Sequence, residues 1–322
     1  MGKALLFTLS LSFFSFLPFE TFAGTCPALL KGSDSHTTWR LSPYQPARGV
    51  AIVVHGLNVN PLRMSTIEDV LRNDGVDVLR LQLAGHNNNI NIFKIVTADM
   101  WERDTLRAYC LANERADRYG MPLYYVGYSL GGVMGVAVAS KYNQVRYDKM
   151  VLFAPALSIR RTPFILRILN TLNPLTIIPN LTKRENYSAN SIGTPVSAYL
   201  ATFKIADFVA KHTNPRAINV PTLLFYDPRD ELISPSGLRT YMAVHKLDRW
   251  TPFIVRKRPF SWRSLFHHMM IDPASVGRTR WQQMTAAMIN HLNHDSIPDR
   301  KLSSIPELEE SSYVLSDQTD QM

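Results

Sequence analysis

The stretch from Leu123 to Tyr142 constrains the fold of this chain more than any other. Leu123-Tyr124-Tyr125-Val126 is a short run of strand-forming residues, and Leu130 to Tyr142 is made largely of Gly, Ala, Val and Met. A helix that is apolar all round must be buried on nearly every side. Between the two lies Gly127-Tyr128-Ser129-Leu130-Gly131, with glycine two positions either side of a serine. That pattern suits a sharp strand-to-helix turn holding the serine exposed in a strained backbone conformation, the glycines letting strand and helix approach closely. The pentapeptide alone is weak evidence. Flanked by an apolar strand and a small-residue helix, it marks Ser129 as a candidate nucleophile.

The rest of the chain repeats the same alternation. Val50 to Val54, Asp77 to Leu81, Lys149 to Ala154 and Thr222 to Tyr226 are further strand-like runs, and Pro252 to Val255 is a weaker one. Helical patterns at Pro61–Arg72, Thr97–Tyr119, Pro235–His245 and Ser275–His294 separate them. Alternation of this kind predicts a mostly parallel central sheet flanked by helices. The rhythm breaks from about Leu157 to Asn219, where five prolines punctuate an apolar stretch with helical segments near Phe164–Leu172 and Val196–Lys211. An insertion of that length reads as a helical cap over a cleft.

Residues 1–23 read as a signal peptide outside this fold. Lys3 supplies the positive start, Ala4 to Phe16 the apolar run, and Thr21-Phe22-Ala23 a small-x-small cleavage site. Export to the periplasm or medium is the expectation, with an uncleaved N-terminal anchor as the alternative. Residues 24–295 form the expected folded domain, and 296–322 a polar, disordered tail. In an oxidising compartment Cys26 and Cys110 either form one disulfide or stay unpaired, since spacing carries no geometry. Two thiols without clustered histidines argue against a metal site. The net charge of +9 favours contact with anionic surfaces such as phospholipid headgroups. The basic residues are too scattered to suggest nucleic-acid binding, and oligomeric state is not legible.

A nucleophilic serine needs a base and a group to orient it. Phe266-His267-His268-Met269-Met270-Ile271-Asp272 lies late in the chain, and only one of its two histidines can face a serine. Tyr226-Asp227-Pro228-Arg229-Asp230-Glu231-Leu232-Ile233 follows the fifth strand-like run and offers two aspartates, one of which is needed only to cap or pair locally.

With these residues the chain resembles the α/β-hydrolase superfamily, within it the lipase-like branch of monoacylglycerol lipases, lysophospholipases and carboxylesterases, over roughly Gly49 to His294. His55-Gly56-Leu57 is similar to that branch's HG-x element, which implies oxyanion-hole amides at Leu57 and Leu130. Leu83-Ala84-Gly85-His86 is similar to its L-x-G-H turn. The acid-loop pattern G-x-x-D-x-L-V implies Asp230 as the acid, with Asp227 standing where glycine is usual. Related enzymes often carry a histidine five residues before an aspartate, which selects His267 ahead of Asp272; a one-residue shift selects His268. The resemblance implies a serine hydrolase cleaving carboxylic esters with no cofactor required; the signal peptide adds the expectation of export, and the apolar cap and basic surface favour lipid acyl esters. An acyltransferase or thioesterase would use the same three residues. A binding protein on the same scaffold would be expected to lack one of them.

Overall fold

In the computed structural model, residues 26, 36–160, 172–180, 187–257 and 266–293 are described. The expected signal peptide, the polar tail and the helical segment expected at Phe164–Leu172 (all but its last residue) lie outside them.

Hydrophobic runs long enough for a strand but too short for a helix form the centre of the molecule. Strands β1 (Thr37–Arg40), β2 (Gly49–Val54), β3 (Val76–Leu81), β4 (Leu123–Tyr128), β5 (Lys149–Phe153), β8 (Thr222–Tyr226) and β9 (Trp250–Ile254) make a sheet in the order β1-β3-β2-β4-β5-β8-β9. Only β1 is antiparallel to its neighbour. Every residue of β2, β4, β5 and β8 is buried, the mark of parallel strands covered on both faces. Helices α1 (Ser65–Asn73), α3 (Ala98–Arg118), α4 (Leu130–Lys141), α7 (Pro235–Val244) and α9 (Arg278–Asn293) connect or close these strands, with a short α2 at Ile90–Lys94. This is the α/β-hydrolase architecture.

The segment between β5 and β8 carries a two-stranded ribbon, β6 (Ile177–Pro179) with β7 (Gly193–Pro195). The helices α5 (Val196–His212) and α6 (Pro215–Ile218) follow it. Helix α5 packs along α4. The final helix, expected as one piece from Ser275, is divided: α8 (Pro273–Val276) ends at Gly277, whose φ of 85° interrupts the helix before α9. Cys26 is disulfide-bonded to Cys110, tying the chain before the first strand to α3.

The register sets out the site. Val54 lies beside Gly127, Gly127 beside Leu152, and Leu152 beside Leu224. The loops that follow β2, β4, β5 and β8 therefore leave the sheet at one level of its carboxyl edge, where α/β folds place ligands.

Candidate active site

Helix α4 can start directly beneath the sheet edge only because its first turn carries no bulk. A methyl group on Gly131 would sit 2.3 Å from the Val54 carbonyl oxygen, and one on Gly127 would sit 2.7 Å from the Gly131 backbone. Ser129, between them, adopts φ 52° and ψ −112°, a left-handed conformation that costs an L-residue about 1–3 kcal/mol. Its backbone is fully engaged: the N–H donates to Phe153 O (2.9 Å), and the carbonyl accepts from Ala156 (3.0 Å) and Val133 (3.2 Å). The side chain is thus held off the strand end by its own backbone.

His268 Nε2 lies 2.9 Å from Ser129 Oγ, and His268 Nδ1 lies 2.9 Å from Asp230 Oδ2. A carboxylate only accepts, so Nδ1 carries the proton and Nε2 is left to accept from the serine hydroxyl. The other Asp230 oxygen accepts from the Leu232 and Ile233 amides, both at 2.8 Å. Burial by itself would raise the Asp230 pKa, but the adjoining imidazole and the two amides outweigh it and hold the carboxyl below its ordinary range.

Spacing to Asp272 predicts His267 at the serine, and the structure corrects this. His267 turns the other way, its Nδ1 donating to Asp227 Oδ2 at 2.9 Å. Asp227, fully buried at the end of β8, also accepts the Arg229 amide at 2.8 Å. The chain bends at His267 and His268, and the two histidines reach two different aspartates. Asp272 instead caps α8 by accepting from Ser275 N, and that cap does not fix the loop length back to the imidazole.

The loop after β2 is braced by two buried histidines. His55 Nδ1–H donates to Gly56 O (2.8 Å) while Nε2 accepts from Leu83 N (3.1 Å). His86 Nε2 accepts from Asn58 N (2.9 Å), and its Nδ1 lies 3.2 Å from the Leu83 and Ala84 carbonyls. Each ring uses one nitrogen as an acceptor, so both are neutral. Burial pushes His55 down to about 4 and His86 well below its ordinary value. The same loop abuts the serine, since a methyl on Gly56 would lie 3.2 Å from Ser129 Cβ. Among the described residues, neither the Leu57 nor the Leu130 amide donates to a protein acceptor.

Three contributors escape a reading by motif. Asn58 joins this loop to the segment before α5: its Oδ1 accepts from Asn190 N (2.8 Å), and its Nδ2 donates to Asn180 Oδ1 (2.9 Å) and Thr194 Oγ1 (3.0 Å). Tyr128 donates to His268 O at 3.2 Å. Buried Lys257 donates to the carbonyls of Phe266 and Met269 (2.6 Å to the latter). Asn58 carries one clue, lying three residues past His55; Tyr128 stands in the serine pentapeptide at a position its pattern leaves open, and Lys257 belongs to no local pattern.

Among solved structures, a soluble variant of monoglyceride lipase from Saccharomyces cerevisiae, complexed with a substrate analogue, is similar with a TM-score of 0.65 at 12% identity, over 79% of this chain and 91% of that one. A metagenome-derived lipolytic enzyme is similar at 0.62 and 20% identity, over 80% and 98%. The monoacylglycerol lipase of Paleococcus ferrophilus is similar at 0.57 and 16%, over 79% and 98%. At these identities the likeness is one of fold. No curated protein matches the chain. The family model described as serine aminopeptidase, S33, matches residues 45–249, well over half of the sequence. The chain therefore belongs to the S33 serine aminopeptidase family, serine hydrolases of the α/β-hydrolase fold.

Proposed function

We propose that the protein is an exported serine esterase that cleaves lipid acyl esters, with Ser129 as nucleophile, His268 as general base and Asp230 as the acid that orients it. The observation that carries this reading is the unbroken hydrogen-bond chain from Ser129 Oγ through His268 to Asp230. As Oγ attacks the ester carbonyl, its proton passes to His268 Nε2, and Asp230 stabilises the imidazolium through Nδ1–H. The Leu57 and Leu130 amides receive the oxyanion, each such donor being worth about 3–4 kcal/mol in enzymes of this kind. His268 then protonates the leaving alcohol, and the same residue activates the water that hydrolyses the acyl-enzyme.

Preference for lipid acyl chains is supported by exposed apolar side chains on α2 and just after it, on α5 and in the segment before α5, namely Ile92, Ile95, Leu175, Ile192 and Leu200. Together with the net charge of +9 they suit peripheral contact with an anionic lipid surface. The Cys26–Cys110 disulfide supports an oxidising compartment and hence export.

The test is hydrolysis of p-nitrophenyl esters of increasing chain length beside aminoacyl p-nitroanilides, with fluorophosphonate labelling of wild type and Ser129→Ala. Ester turnover rising toward medium or long chains, with labelling abolished in the variant, is the expected result. Turnover of the anilides alone, or equal labelling of the variant, overturns the reading.

A further inference from the structure

The loop that carries Asp230 grips the histidine segment twice. Asp230 holds the His268 ring, and the next residue, Glu231, holds the backbone: one of its carboxylate oxygens accepts from His267 N at 2.8 Å and from His268 N at 3.2 Å. Two successive amides converging on one anion form a small anion-binding concavity, with the His267 and His268 N–H groups directed at a single charge. The opposite edge of the same segment meets a cation, since Lys257 Nζ donates to the carbonyls of Phe266 and Met269, and Tyr128 takes the carbonyl between them at His268. Residues 266–269 have no helix or strand hydrogen bonds of their own, so these outside groups set where the backbone lies.

We propose that Glu231 is a positioning residue for the His268 base, fixing the height of its Cα above the sheet so that Nε2 meets Ser129 Oγ while Nδ1 meets Asp230. This rests on the assignment of His268 as the base. A ring anchored only through Nδ1 can still swing about that bond and lengthen the contact with the serine. Anchoring the main chain as well removes that freedom, and displacement of a reacting group by about 1 Å is enough to cost on the order of a hundredfold in rate. Glu231 is exposed, so its amide partners can turn to water when it is removed and the fold is retained.

The experiment compares Glu231→Ala, Glu231→Gln and His268→Ala on one soluble p-nitrophenyl ester, with kcat and KM measured separately and the thermal midpoint recorded for each. For Glu231→Ala, kcat falls by about tenfold to a hundredfold with KM little changed. Glu231→Gln keeps an acceptor oxygen and recovers most of kcat. Wild-type kcat in Glu231→Ala, a change confined to KM, or equal loss of kcat in both Glu231 variants overturns the proposal. His268→Ala separates the two levels: if it retains wild-type turnover, the base assignment fails and the positioning role falls with it. If His268→Ala is inactive and Glu231→Ala is not impaired, only the positioning role fails.

Discussion

His268 Nε2 stands 2.9 Å from Ser129 Oγ, across 139 residues of sequence, while its neighbour His267 is committed to Asp227. The two histidines therefore separate in their phenotypes. His268→Ala is expected to lose at least about 10⁴-fold in kcat, as removal of a triad histidine does in other serine hydrolases. His267→Ala leaves the fully buried Asp227 with its Arg229 partner but without the imidazole hydrogen bond, a loss of about 1–3 kcal/mol in stability, yet retains kcat within about tenfold. Parallel kinetics and urea unfolding of the two variants check both halves. Equal kinetic losses would remove the distinction.

The aspartates divide in the same way. Asp230→Asn leaves the loop shape intact but removes the acceptor that selects the Nδ1–H tautomer, and a loss of about 10⁴-fold in kcat is expected. Asp227→Asn keeps an acceptor for only one of its two partners, Arg229 N on Oδ1 and His267 Nδ1 on Oδ2, and neither touches Ser129, so its effect belongs in the unfolding midpoint. Steady-state kinetics beside differential scanning calorimetry test the pair; a kcat loss in Asp227→Asn matching that in Asp230→Asn would contradict the assignment.

How far these residues were legible in advance follows from what kind of physics fixes each. Ser129 and the sheet were readable because local rules carry them: apolar runs of strand length, and two glycines whose replacement would drive a methyl into backbone. Asp230 was reachable through a loop motif. The choice between His267 and His268 was not, because the count to Asp272 measures a helix cap and not the path of the loop. Glu231, Lys257 and Tyr128 converge on residues 266–269 from three separate elements, and no periodicity records that meeting. Strand β1 was missed because its residues are only partly buried and lack an apolar run.

The Cys26–Cys110 bridge closes a loop with a sequence separation of 84 residues. In the chain-entropy account a loop of that size contributes roughly 4–5 kcal/mol, and measured losses on removing a native disulfide run about 2–5 kcal/mol. Cys110→Ala, or wild type with a reductant, is expected to unfold at lower urea and with a larger m-value, because the unfolded chain without its cross-link exposes more surface. Identical midpoints with and without reductant would show that the bridge contributes nothing to stability.

Acid sensitivity should begin well above the carboxylate range, because buried neutral histidines govern it. His55 and His291 are pushed to about 4, His55 by burial and His291 by burial with the neighbouring Lys149 charge adding to it, and His86 is lowered further by burial and the adjacent His55. In the unfolded chain these rings take up protons near pH 6.5, whereas in the folded protein they stay neutral until about pH 4. The unfolded state thus binds more protons throughout that window, and stability falls as pH drops from about 6.5 toward 4. His55 alone accounts for on the order of 3 kcal/mol across it. Asp230, whose carboxyl is held below its ordinary range, adds its own loss only at lower pH, as acid protonates it. Urea midpoints measured between pH 8 and 4 should be level at the upper end and decline below about pH 6.5. His55→Gln, if it folds, keeps an acceptor for Leu83 N and should flatten part of that decline. A midpoint that holds constant down to pH 4.5 would mean that these rings are not neutral in the folded protein.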